Sequence, residues 1–245
     1  MARLSRRELK QDEFVTTVEA FEEFAKQNYK QILTGVAIAV IVAGSIIGWE
    51  SYNERQKAAA NAALAAALAS FNAKVGAAVP VNLFGGTPPP ADSGQFTTSQ
   101  EKYKKALAQF SEVVAKYPRQ PAADFARYHI GLCQATLGNG PAALKTLEAA
   151  SHASDKDAAS LARMALAGQL AEAGKPAEAI SIYQNLASHP TSTVPRATAL
   201  LALADQYRTT QPAQARALYE QMEREYSSDS YLVSTVRQQL ASLPK

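Results

Sequence analysis

A thiol occurs once in this chain, at Cys133, so no internal disulfide can form and no cysteine-built zinc site is available. The residue sits in the apolar run Ile130-Gly131-Leu132 and reads as a small buried hydrophobe. Histidine is scarce as well. His129, His152 and His189 stand far apart, and neither H-x-x-x-H nor H-x-x-E-H occurs. There is no G-x-S-x-G and no G-x-x-x-x-G-K, and Gly85-Gly86 runs into Thr-Pro-Pro-Pro rather than into a lysine-bearing helix. Carboxylate pairs such as Glu223 and Glu225 read as solvated charges at a helix end. No catalytic residue, metal, cofactor or small-molecule substrate is therefore expected. An excess of one charge is lacking too: 25 basic and 22 acidic residues leave a net +3, which gives no case for nucleic acid as a partner.

What the chain does have is alanine, within a 47% hydrophobic and only 19% charged composition over 245 residues. Alanine is the best helix former, so an all-α chain is expected. One stretch stands apart. Residues 32–49, from Ile32 to Trp49, read ILTGVAIAVIVAGSIIGW without a charge. A helix of that length spans roughly 27 Å, close to the hydrocarbon core of a bilayer. Lys30 lies before it and Trp49 and Tyr52 lie at its end, residue types that anchor helices at interfaces. A buried strand or core helix is the competing reading, and an uncharged run of this length argues against it. A cleavable signal peptide would have a shorter leader and a small-residue cleavage site, so a retained single transmembrane helix is expected. Arg3, Arg6, Arg7, Lys10, Lys26 and Lys30 precede the span, while only Arg55 and Lys57 follow within twenty residues. That asymmetry places the N-terminus in the cytoplasm and the C-terminal part across the membrane.

The leader, residues 1–31, carries a capping box at Ser5-Arg6-Arg7-Glu8 and an apolar face of Phe14, Val18, Phe21 and Ala25. It reads either as a helix on the lipid surface or as a docking helix. Glu19, Glu22 and Glu23 opposite that face tilt the balance toward a protein. Residues 50–75 are alanine-rich, with Leu64, Leu68 and Phe71 at helical spacing, and read as a helix continuing outward. Residues 76–97 hold Pro80, Gly85-Gly86 and Pro88-Pro89-Pro90 and read as a flexible loop.

From residue 98 to 245 an internal period appears. Ala106, Ala143, Ala179 and Ala215 are followed four residues later by Phe110, Leu147, Tyr183 and Tyr219. Three further on stand Val113, Ala150, Leu186 and Met222. Gly131, Ala167 and Leu203 lie twelve before the last three alanines. Gly138 and Gly174 fall where a first helix should stop, and Pro141, Pro176 and Pro212 where a second should open. Pro118 and Pro190 close second helices. The small residue lets paired antiparallel helices approach, and the large one fills the gap to the next pair. One pair cannot bury its own apolar face, so pairs must stack. A final helix over 229–242, with Leu232, Val236 and Leu240 inward, would cap the stack.

Ala106, Phe110 and Pro118, the set Gly131, Gly138, Ala143 and Leu147, and the set Ala167, Gly174, Ala179 and Tyr183 resemble the tetratricopeptide repeat. The early tryptophan of that pattern is missing, the period is slightly long, and Thr210 stands where Gly138 would recur. The resemblance implies an α-solenoid of about four helix pairs, with 50–75 as the first half of the earliest pair. Its first helices would line an apolar groove with Phe125, Tyr128, Leu132, Leu161, Met164, Leu200, Tyr207 and Arg208, suited to extended apolar segments. Alternatively these residues bury against the loop or the capping helix. The whole plan of leader, Gly-rich span and divergent repeats is similar to the YfgM-like ancillary SecYEG translocon subunit family. That resemblance implies a single-pass bacterial inner-membrane protein with a periplasmic repeat domain. Its expected partners are translocon subunits, periplasmic chaperones or exported chains, besides lipid around residues 32–49. An envelope scaffold that gathers an assembly complex without client chains is the competing reading.

Overall fold

The computed structural model describes residues 6–76 and 96–243, with side chains from Asn28 onward except Ile32 and Ala39. Ser5, the side chains of the leader face Phe14, Val18, Phe21 and Ala25, and most of the expected loop 76–97 lie outside the described residues. The chain divides into two compact units, Met1–Arg55 and Gln56–Lys245.

In the first unit the backbone follows α1 (Arg6–Asn72), interrupted at Asn28, whose φ of −111° and ψ of 15° leave the helical region. From Asn28 as far as Tyr52 the described large apolar side chains stay exposed. Leu33, Val36, Ile38, Val40, Ile41, Val42, Ile46 and Ile47 are each more than half exposed, as are Tyr29, Trp49 and Tyr52 at the two ends. No described residue of the most apolar 18-residue window is buried. Thr34 and Ser45 turn their hydroxyls back to donate to the carbonyls of Lys30 and Ile41, 2.8 Å away in both cases, so the helix hides even its few polar atoms.

The second unit is a stack of antiparallel helix pairs. The end of α1 pairs with α2 (Ser99–Lys116). Three further pairs follow: α3 (Pro121–Thr136) with α4 (Gly140–Ala150), α5 (Lys156–Glu172) with α6 (Pro176–Ser188), and α7 (Arg196–Thr210) with α8 (Pro212–Glu225). The last helix, α9 (Ser230–Ser242), packs on α8. The described residues hold no β-strand, only a single parallel bridge between Val75 and Phe96. The all-α solenoid of four pairs with a terminal helix is thus the observed fold. The second unit begins at Gln56, and Ala60, Leu64, Ala67, Leu68 and Phe71 of α1 share one core with α2 and α3.

Local chemistry explains where each helix starts and stops. Thr98, Asn139, Asp155 and Asp229 accept hydrogen bonds from first-turn amides at the starts of α2, α4, α5 and α9. Proline occupies the first turn of α3, α4, α6 and α8, where no donor is lost. Gly138 and Gly174 adopt φ of 80° and 78°, a left-handed conformation that closes α3 and α5. The amides of Asn139 and Lys175 then reach back 2.9 Å to the carbonyls of Gln134 and Leu170. At the equivalent of Thr210 no glycine is needed. Gln211, at φ −147°, serves as the end of α7 and the start of α8 at once.

The repeated alanines lie inside the stack. Ala106, Ala143, Ala179 and Ala215 have no exposed surface, and Phe110, Leu147, Tyr183 and Tyr219 beyond them are at most 7% exposed. Each large side chain contributes roughly 1.5–3 kcal/mol by leaving water. Among the described glycines, Gly131 has the least room: a Cβ there would stand 2.5 Å from Leu147 Cγ.

The candidate protein-binding face

The eight residues expected to line one groove are divided by the structure. Leu200 and Tyr207 are buried, at 4% and 8% exposure, and belong to the core formed by α4 to α9. Gln184 Nε2 on α6 donates to the Tyr207 hydroxyl at 3.0 Å, tying that side chain inward. Arg208 Nη1 donates to Gln239 Oε1 at 2.9 Å, and Arg208 Nη2 to Ser242 Oγ at 3.4 Å. Arg208 therefore ties α9 to the stack. Tyr128, Leu161 and Met164 are half-buried and pack on the same core while keeping an outer edge. Phe125 and Leu132 are half-buried on α3. Of these eight residues, the apolar ones that keep an open edge lie on α3 and α5.

The terminal network is completed by Tyr219, whose hydroxyl donates to Asp205 Oδ1 at 2.9 Å. Burial and the acceptor Asp205 drive that phenol far above its ordinary titration range.

A second feature escapes sequence reading altogether. His129 lies among aromatic rings from three helices. Its ring stacks on Phe110 at 4.9 Å and 9°, meets Phe71 edge-on at 5.1 Å, and lies 4.8 Å from Tyr128. Its Nδ1 is buried without a partner among the described residues. Burial lowers its pKa to about 4, so at neutral pH it is an uncharged aromatic plate. Burial likewise pushes the Cys133 thiol, one turn on, up to about 11, with Lys102 acting weakly in the other direction. A neutral imidazole and a neutral thiol are poor partners for nucleophilic chemistry. Among the described residues no group of three or more His, Cys, Asp or Glu side chains is placed to hold a metal.

Beside this cluster the ends of the 76–97 segment are fastened together. Gly76 N–H donates to the Phe96 carbonyl at 3.1 Å, Lys102 Nζ donates to the Ala73 carbonyl at 3.2 Å, and Lys105 lies 5.6 Å over the Phe96 ring.

The stacked pairs, the buried small residues and the glycine stops are joined by one further observation: residues 22–194 match the family model of the tetratricopeptide repeat-like domain. The chain belongs to that family. No curated protein matches the sequence. The family match takes in the apolar stretch of α1 and ends at Val194, so α7 to α9 join this tetratricopeptide repeat-like protein through their packing. Repeats of this kind typically serve as protein-interaction scaffolds rather than catalysts, and the half-open apolar face of α3 and α5 suits that use.

Proposed function

We infer that this tetratricopeptide repeat-like protein is anchored in the bacterial inner membrane by residues 32–49. Its N-terminus is cytoplasmic, and its periplasmic repeat domain assists the handover of exported chains to chaperones at the Sec translocon. The observation that carries the reading is the 18-residue apolar window of which no described residue is buried. A core helix of a water-soluble domain would be mostly covered, and this one offers aliphatic side chains on every side. Tyr29 and Lys30 at one end, and Trp49 and Tyr52 at the other, are exposed residues of the kinds found at membrane interfaces. The lysine and arginine asymmetry supports the orientation. The apolar edges of Tyr128, Leu161 and Met164 support contact with unfolded or apolar segments.

Photocrosslinking from Phe125 and Leu132 in native membranes tests this. Recovery of channel subunits or secretory clients supports it, and recovery of neither rejects it. A second reading is favoured by the burial of Leu200 and Tyr207, which shortens the open face. A short face fits one folded partner in an envelope assembly better than a series of client chains. That scaffold reading predicts one stoichiometric partner whose affinity survives removal of the membrane helix.

A further inference from the structure

The opposite side of the stack carries a cleft that the inner-face reading does not use. It lies between α4 and α6, has a volume of about 540 Å³, and is floored by α5. Its existence follows from the packing: α4 and α6 each pack on α5 but not closely on one another. Leu166 and Leu170 of α5 form the base, while Leu144 and Ile182 form half-exposed walls. The size falls within the roughly 300–1,000 Å³ of sites that enclose small ligands or several side chains.

The rim gives the cleft a sign. Lys175 Nζ and Glu178 Oε1 stand 3.0 Å apart, each more than half exposed, and so largely cancel one another. The Glu148 carboxylate on the facing wall is exposed and makes no ion pair or hydrogen bond among the described residues. Lys145 is exposed on the same helix and does not line the cleft. One uncompensated carboxylate thus borders an apolar floor.

The chain supplies its own control. Thirty-six residues on, between α6 and α8, the corresponding positions to Leu166 and Leu170 are Ala202 and Gln206. Those corresponding to Glu148, Lys175 and Glu178 are Gln184, Gln211 and Gln214. The repeat architecture therefore does not demand either the leucine floor or the charged rim. Both occur together at α4–α6, where Leu144 and Ile182 stay half-exposed above the buried leucines.

We propose that the α4–α6 cleft is a second protein-binding site, taking a short segment whose two aliphatic side chains fill the leucine floor and whose lysine or arginine pairs with Glu148. Leu144 and Ile182 grip the aliphatic groups from either side, and Glu148 selects the sign of the neighbouring charge. This site lies apart from α3 and does not depend on the translocon reading.

The test uses the full chain in nanodiscs and two fluorescein-labelled peptides, Gly-Ile-Leu-Lys-Leu-Gly and the same peptide with glutamate replacing lysine. Fluorescence anisotropy should show the lysine peptide binding at least tenfold more tightly. Glu148→Lys should remove or reverse that preference, and Ile182→Asp should weaken both peptides. Gln214→Lys, the control on the neighbouring repeat, should leave the lysine peptide's affinity unchanged. Hydrogen exchange confirms that each variant keeps its helices. Binding of neither peptide, equal affinity for both, or a preference that survives Glu148→Lys would overturn the proposal.

Discussion

The helix α5 and the stretch from Leu33 to Trp49 are both rich in alanine and branched aliphatic residues, yet they end in opposite surroundings. In α5, Ala158, Ala159, Ala162, Leu166, Ala167 and Leu170 are buried. Lys156 and Glu172, at its two ends, are exposed. In the other stretch, eight aliphatic side chains from Leu33 to Ile47 are each more than half exposed, and no charge marks a water-facing side. Leaving eight such side chains in water forgoes on the order of 10–20 kcal/mol. The lesson is that apolarity alone does not decide burial. A helix with one polar face solves its problem against one protein neighbour, and a helix without one needs apolar surroundings on every side.

The comparison breaks most dramatically if the second helix is given a polar side. Val40→Arg combined with Ile41→Arg adds about 5–7 kcal/mol to the cost of membrane insertion. The protein should then leave the membrane fraction on alkaline extraction, while hydrogen exchange in α3 to α8 stays as in the parent. Loss of protection throughout those helices would show that the two regions are not independent.

Within the repeats, the largest effect is expected at Gly131. Gly131→Val places a branched side chain against Leu147, where even a Cβ stands 2.5 Å from Cγ. A destabilisation of about 2–3 kcal/mol is expected, read as faster hydrogen exchange in α3 and α4. Leu147→Ala in the same chain should restore part of that loss, because the two residues share one space.

The inner core also predicts a pH dependence that the apolar stretch lacks. His129 titrates near 6.5 when unfolded and at about 4 when folded. Between those values the unfolded chain binds more protons, so stability falls as pH drops from 6.5 toward 4 and is flat above. After allowance for the ring's partial exposure, the loss is about 2 kcal/mol. It should appear as the difference between parent and His129→Phe in thermal unfolding at pH 7.5 and pH 4. Parallel curves for the two would contradict the buried, neutral imidazole.

Smallest is the terminal network. Tyr219→Phe removes the donor to Asp205 while leaving the ring in place, and should cost about 1 kcal/mol. The change should be seen as earlier fraying of α7 to α9 in hydrogen exchange, with α3 to α5 unaffected.

Much of this was readable in the chain itself. The spacing of Ala106, Ala143, Ala179 and Ala215 is legible because close helix approach tolerates only small side chains. Gly138 and Gly174 are legible because the left-handed turn they adopt favours glycine. The binding face was less so. Counting along α7 puts Leu200, Tyr207 and Arg208 on one helix face, but spacing alone does not show that Gln184 ties Tyr207 inward or that Arg208 bonds to the terminal helix. His129 was invisible as a core residue because its neighbour Phe71 comes from a helix far back along the chain. Local spacing shows which residues share a helix face, and gives little on which distant face meets it.

The most direct test of the account is a spin-label scan of residues 33–49 in nanodiscs, one cysteine at a time, with Cys133 left in place because burial and a pKa of about 11 keep it unreactive. Collision with dissolved oxygen should be high, and collision with a water-soluble nickel chelate low, at every position around the helix. A face that returns every three to four residues with high nickel accessibility would mean that the stretch meets water, and would contradict the account.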